Sequence, residues 1–102
     1  MESLFTLNSL QMKETFYFYI LHSFSCDKFY LGYTHDLEAR LIRHNQKSKG
    51  FTGAVNDWSV IYSEVYETKA AAYAREREVK KWKSRKRILA LIEQRKNADK
   101  RD

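Results

Sequence analysis

Five side chains of chemically capable types stand where a folding pattern asks for apolar ones: Tyr19, Tyr30, Arg40, His44 and Glu76. Leu37, Leu41 and His44 follow i, i+4, i+7 spacing and share one helical stripe, and Arg40 sits between them on it. An arginine and a histidine there either snorkel to the helix edge or line a cleft. Glu76 lies between Ala72 and Val79 at the same spacing, on a stripe that small and apolar residues mark as inward-facing. An unpaired carboxylate on such a face is costly, so Glu76 needs a cation. Arg40 could supply it in a purely structural ion pair, with His44 a satisfied core histidine. The chemical alternative is a hard divalent ion such as Mg²⁺, which binds through one or two carboxylates and keeps waters for a substrate. Tyr17 and Tyr19 fall on one face of a strand, and Tyr30 and Gly32 on one face of another. Buried phenols need partners, and Gly32 leaves room for close approach of backbone or ligand.

These positions presuppose particular elements. Thr15 to His22 is dense in aromatic and β-branched residues and reads as a buried strand. Ser23 to Lys28 has turn chemistry, and Phe29 to Tyr33 returns as the second strand of a hairpin. Thr34 or Asp36 can cap a helix through LEARLIRHNQK. Lys47 to Asn56 reads as a loop, and Asp57 to Glu67 as a third strand whose Trp58, Val60 and Tyr62 alternate into the core. Thr68 caps a second helix through AAAYAREREVKKWK, and Ser84 starts a third, RKRILALIEQ. The order ββαβαα predicts a small single α+β domain, a three-stranded antiparallel sheet flanked by helices. The expected organisation is a flexible tail over residues 1–14, a folded domain over 15–95 and a second flexible tail over 96–102. Met12, just before the first strand, is a second candidate start.

Composition narrows the setting. The chain has 102 residues with no proline and only three glycines, which suits one small domain and excludes linker-rich or collagen-like chains. One cysteine, Cys26, can close no internal disulfide, and the reducing cytoplasm is the expected compartment. No apolar run is long enough to span a bilayer, so no membrane role is expected. The net charge is +6, and from Arg75 onward there are 12 basic and 5 acidic residues. That excess suits either a solvated helical face or a polyanion partner. Lys80, Lys81, Lys83, Arg85, Lys86 and Arg87 form the candidate phosphate-backbone patch, of a kind that positions nucleic acid without reading its sequence. Trp82, amid that patch, is expected in the core.

Tyr17-Phe18-Tyr19 and, ten residues on, Tyr30-Leu31-Gly32 resemble the paired signature of the GIY-YIG endonuclease superfamily. Leu37-Glu38-Ala39-Arg40-Leu41 with His44-Asn45 is similar to that family's arginine-bearing helix, and Ala72 with Glu76 and Val79-Lys80-Lys81 to its glutamate-bearing helix. The likeness covers about Phe16 to Glu93. It is nearest the small stand-alone bacterial branch, related to the nuclease domain of the excision-repair subunit UvrC. Tyr17 replaces the first glycine of the signature, and Tyr33 stands where UvrC-like members carry a lysine. The resemblance implies phosphodiester hydrolysis in nucleic acid, with DNA in repair or processing as the expected substrate, and one Mg²⁺ or Mn²⁺ ion held by Glu76. It makes Arg40 the clamp on the scissile phosphate, Tyr19 or Tyr30 the general base or its orienter, and His44 a partner for that proton or for the phosphate. Tyr17, Phe18, Leu31 and Gly32 are then structural members of the motif. Two rivals keep the fold without the chemistry: a nucleic-acid-binding module, and a protein-interaction domain whose basic surface meets an acidic partner. A nuclease this short would take its specificity from a protein partner or from unusual substrate structures.

Overall fold

The structure, a computed structural model, describes residues 14–46 and 55–100; the expectations for residues 1–13 and for most of the 47–56 loop lie outside them. The aromatic run near the start forms β1 (Phe16–Ser23), and Lys28–Thr34 returns beside it as β2. Asp27 takes the left-handed conformation (φ 52°) in the turn between them, a region that Asp tolerates better than most residues. Asp57 ties this turn to the approach of the third strand. It accepts the Ser23 hydroxyl at 2.6 Å and the Ser25 N–H at 2.7 Å. After α1 (Leu37–His44) the chain returns as β3 (Trp58–Tyr66), which pairs antiparallel with β1 and gives the order β2-β1-β3. Central β1 is covered on both faces, and Phe18, Tyr19, Ile20 and Leu21 are at most 1% exposed. The expected three-stranded antiparallel sheet and the order ββαβαα are therefore present.

The last two helices are α2 (Lys69–Trp82) and α3 (Arg85–Lys100). Thr68 caps α2 by accepting the Ala71 N–H at 3.1 Å, and Ser84 caps α3 by accepting that of Arg87 at 3.2 Å. Between them Lys83 stops α2 in the left-handed region at φ 47°. Helix α3 runs past Gln94 to Lys100, through residues expected to be a tail. Nothing in RKNADK breaks a helix, and Arg95 on this extension donates to the Ser63 carbonyl of β3 at 3.0 Å.

Two apolar clusters sandwich the sheet. Phe18, Ile20, Leu31 and Tyr62 pack with Val79 of α2 and Ile92 of α3, and half-buried Trp82, Ile88 and Leu91 join them. Tyr19, Leu21 and Trp58 pack with Tyr30, Leu37, Leu41 and Val60 on the other side. Trp58 and Val60 thus part company with Tyr62, against the simple alternation read along this strand. The β1–β3 register shifts between Ile20, paired with Tyr62, and Leu21, paired with Val60. One extra residue, Ile61, is inserted on β3 and reverses which face the following side chains meet. Glu64 then binds β3 to α2. Its carboxylate accepts the Tyr66 hydroxyl at 2.6 Å and Arg75 Nε and Nη2 at 3.0 and 3.1 Å. Burial works to raise the Glu64 carboxyl, but the bonds from Arg75, Tyr62 and Tyr66 outweigh it and hold it below the usual range.

Candidate active site

Register comes first. Tyr19 lies directly opposite Gly32, and Leu21 opposite Tyr30, so both tyrosines look out from the same face of the hairpin. No described glycine has positive φ, so Gly32 is not there for backbone freedom. Its missing side chain is what matters: a Cβ would lie 2.6 Å from Tyr19 Oη and 2.7 Å from Cζ. The outer end of the Tyr19 ring therefore occupies the place of a Gly32 side chain, and the space expected for a close approach is filled by that ring.

Helix α1 brings the basic groups to this face. Asp36 caps it, accepting the Ala39 N–H at 3.0 Å, while Thr34 Oγ1 accepts the Asp36 N–H at 3.1 Å and fixes where the helix leaves β2. The far end is fixed by Asn45, whose amide donates to the Trp58 carbonyl at 3.0 Å and accepts the Trp58 N–H at 2.7 Å. This two-ended bridge from α1 to β3 holds His44, one residue earlier, against the tyrosines. The sequence assigned Asn45 no role. Its signal was an amide next to His44 at a helix end, which only a knowledge of where β3 begins could interpret.

His44 is buried, and its Nε2 is 3.0 Å from Tyr19 Oη. The His44 ring centroid is 4.5 Å from that of Tyr30 and 6.1 Å from that of Tyr19. Burial lowers the His44 pKa, and the Arg40 and Arg43 cations lower it further, so the imidazole is neutral near pH 7. Burial raises the Tyr19 phenol well above its ordinary value, and Tyr30 adds to this; Arg40 acts in the opposite direction, and Glu76 raises it again. The phenol thus keeps its proton, beside a neutral imidazole. The same balance places Tyr30, Arg40 and Glu76 within electrostatic reach of one buried hydroxyl.

Glu76 is buried with Ala72 and Val79 on α2, as their shared stripe required. Its cation partner is Lys80 of the next turn, at 3.4 Å, and Arg40 makes no ion pair with it among the described residues. The structural pairing of Arg40 with Glu76 is therefore not the arrangement found. Lys80 is half exposed and can swing away at little cost. No three His, Cys, Asp or Glu side chains cluster as a metal cage among the described residues. One buried carboxylate with a displaceable partner suits an ion that keeps most of its waters, as Mg²⁺ and Mn²⁺ do, and not a four-ligand zinc site.

Other motif residues have structural surroundings. Phe18 and Leu31 belong to the apolar cluster on the opposite face, and Tyr17 pairs with Thr34 in the hairpin. The residues of the basic patch have different immediate surroundings. Arg85 bonds the Asp27 carboxylate at 2.8 Å and lies over the Phe29 ring, and Arg87 lies 4.2 Å over Trp82. Lys81, Lys83 and Lys86 are exposed and make no ion pair among the described residues. No described helix is long and apolar enough to cross a membrane.

Residues 15–88 match the model of the GIY-YIG catalytic domain. A UPF0213 protein of Bacillus pumilus (strain SAFR-032) is 36% identical over 84 residues, which span 81% of this chain and 85% of that protein. A UPF0213 protein of Staphylococcus aureus (strain Mu3) is 37% identical over 67 residues, 65% of this chain and 80% of its own length. No solved structure gives a significant match. The matched span holds the hairpin tyrosines, Arg40, His44 and Glu76 alike, and on it the chain belongs to the GIY-YIG family of nuclease domains, which act on nucleic acid.

Proposed function

We propose that this protein is a divalent-metal-dependent endonuclease that cuts DNA in repair or processing, with Tyr30 as general base, Arg40 as phosphate clamp and Glu76 as holder of one Mg²⁺ or Mn²⁺ ion. The observation that carries this reading is the packing of the Tyr19, Tyr30 and His44 rings together, with centroids 4.5 to 6.4 Å apart, in a chain that also buries the Glu76 carboxylate. A binding module needs cations alone, whereas an inward carboxylate beside an arginine suits a phosphate held with a metal ion. When bound, such an ion would polarise the phosphoryl oxygens and stabilise the leaving oxygen.

The chain's own groups divide the remaining work. Tyr19, kept protonated by burial, is a poor base and a good positioning residue, hydrogen-bonded with His44. Tyr30 packs against the same imidazole and is less buried than Tyr19; after passing its own phenol proton to solvent, it takes the proton of the attacking water. His44, neutral, fixes both rings without adding a second cation to the site. Arg40 presents a planar fork of donors to the phosphate and neutralises charge that grows in the transition state.

The test is cleavage of duplex, flap, branched and single-stranded DNA, with RNA alongside, in Mg²⁺, Mn²⁺ or EDTA. Wild type is compared with Glu76→Gln and Arg40→Ala. We expect metal-dependent cutting that Glu76→Gln abolishes while salt-sensitive binding persists. Arg40→Ala should slow cutting about 100- to 1000-fold, as loss of one preorganised donor does elsewhere. Binding without cleavage by wild type on every substrate would overturn the proposal in favour of a binding module.

A further inference from the structure

Beside the proposed catalytic face lies a cleft of about 440 Å³, walled by Glu14, Phe16, Tyr33, Thr34, His35, Arg40 and Lys69. It sits where β1 begins, β2 ends, and α1 and α2 start. Its volume falls within the roughly 300–1,000 Å³ of small-ligand pockets. Arg40 is the hinge of the arrangement. It lines this cleft and a smaller one formed with Thr34, His35, Asp36, Ala39 and Arg43, and it acts electrostatically on Tyr19. A strand whose phosphate meets Arg40 therefore has a built cavity for its next unit.

We propose that this cleft is a subsite for the nucleotide adjoining the scissile phosphate in a single-stranded segment of the substrate, its phosphate met by Lys69 and its base by the Tyr33 ring. The inference rests on the nuclease reading for its direction and on the cleft alone for its chemistry. Lys69 is exposed, opens α2, and makes no ion pair among the described residues. Tyr33 is half-buried, lines the cleft and packs against the Tyr73 ring with centroids 5.2 Å apart, so it offers the cleft an aromatic side chain. Phe16 and His35, with centroids 6.5 Å apart, close the wall. Among the residues that line the two clefts, Asp36 is engaged in capping α1, and Glu14 lines the larger cleft with Arg40 and Lys69. Stacking on tyrosine is tolerant of base identity, so the subsite favours unpaired nucleotides without selecting a sequence.

The experiment measures binding of a fluorescent single strand of about six thymidines to metal-free protein, a length that suits a site of this kind. Wild type is compared with Lys69→Ala, Tyr33→Leu and Tyr33→Phe, with melting curves to verify folding and cleavage in Mg²⁺ measured separately. We expect Lys69→Ala to weaken binding about fivefold and to lessen its salt dependence. Tyr33→Leu should weaken it about tenfold, and Tyr33→Phe, which keeps the ring, should bind as wild type does. Unchanged affinity in folded Lys69→Ala and Tyr33→Leu overturns the subsite even if the protein cuts DNA. Weakened binding in both, with no cleavage by wild type on any substrate, overturns the nuclease reading and leaves the cleft as a binding site for single strands. Free thymidine 5′-monophosphate binding as tightly as the oligonucleotide would mark a pocket for free nucleotides and also overturn it.

Discussion

Adding a single methyl group at Gly32 should disable the site and destabilise the fold together. A Cβ there would stand 2.6 Å from Tyr19 Oη and 2.7 Å from Cζ. Ordinary carbon contacts begin near 3.5 Å, so the Tyr19 ring must retreat by roughly 0.8–1 Å. It has nowhere to go: Tyr19 is 1% exposed, packed with Leu21 and Trp58, and bonded to His44 at 3.0 Å. Overpacking of this kind costs about 1–3 kcal/mol, and loss of the phenol–imidazole bond adds about 1 kcal/mol. The sum, about 2–4 kcal/mol, corresponds to a fall of roughly 10–25 °C in Tm for a domain of this size. Tyr30 and His44 would shift with the ring, and a misplacement near 1 Å costs about 100-fold in rate. Differential scanning fluorimetry of Gly32→Ala, with a cleavage assay below its Tm, reads both effects. Tyr19→Leu removes the two clashing atoms, so Gly32→Ala should cost at least about 1 kcal/mol less in that background. A Gly32→Ala protein that melts within about 2 °C of wild type and cuts normally would refute the packing argument. An equal cost in the Tyr19→Leu background would show that the clash lies elsewhere.

The lowered His44 pKa makes stability depend on pH in a definite direction. Below the ordinary histidine value of 6.5 the unfolded chain takes up a proton that the folded chain resists, so stability falls as pH drops from there toward the folded value. Melting curves between about pH 7.5 and pH 5 should show a steeper fall for wild type than for His44→Asn, and parallel curves would contradict a buried neutral imidazole. Asn45→Ala removes both bonds to the Trp58 backbone and should cost about 1–3 kcal/mol, with Asn45→Asp intermediate because it keeps only the acceptor. A Tm unchanged by Asn45→Ala would mean that α1 is held to β3 by its leucines alone. Lys83→Gly should raise Tm, by up to about 1 kcal/mol of stability, because glycine accepts φ 47° without a Cβ penalty. A lower Tm would show that the lysine side chain contributes more at this position than its backbone costs.

Much of this molecule is legible in one dimension. Short-range periodicity reports which side of a helix or strand is inward, and it placed Glu76, His44 and Arg40 on faces that should be apolar before any fold was known. Capping is equally local, since a side-chain oxygen reaches N–H groups only two or three residues away, and Asp36, Thr68 and Ser84 all cap as their sequence contexts allow. Other features depend on partners distant in the chain. The bulge at Ile61 inserts one residue against β1 and sends Tyr62 to the opposite core from Trp58 and Val60, which no alternation within β3 reveals. The cation beside Glu76 is Lys80, and the reason for Gly32 is the ring of Tyr19, 13 positions earlier in the chain, set over it by strand register. Burial also raises the Tyr19 phenol, because desolvation depends on everything packed around a group. The sequence by itself determined the elements and which residues are candidates for the site. The tertiary structure decided which members touch, because contact and desolvation are set by side chains far apart in the chain.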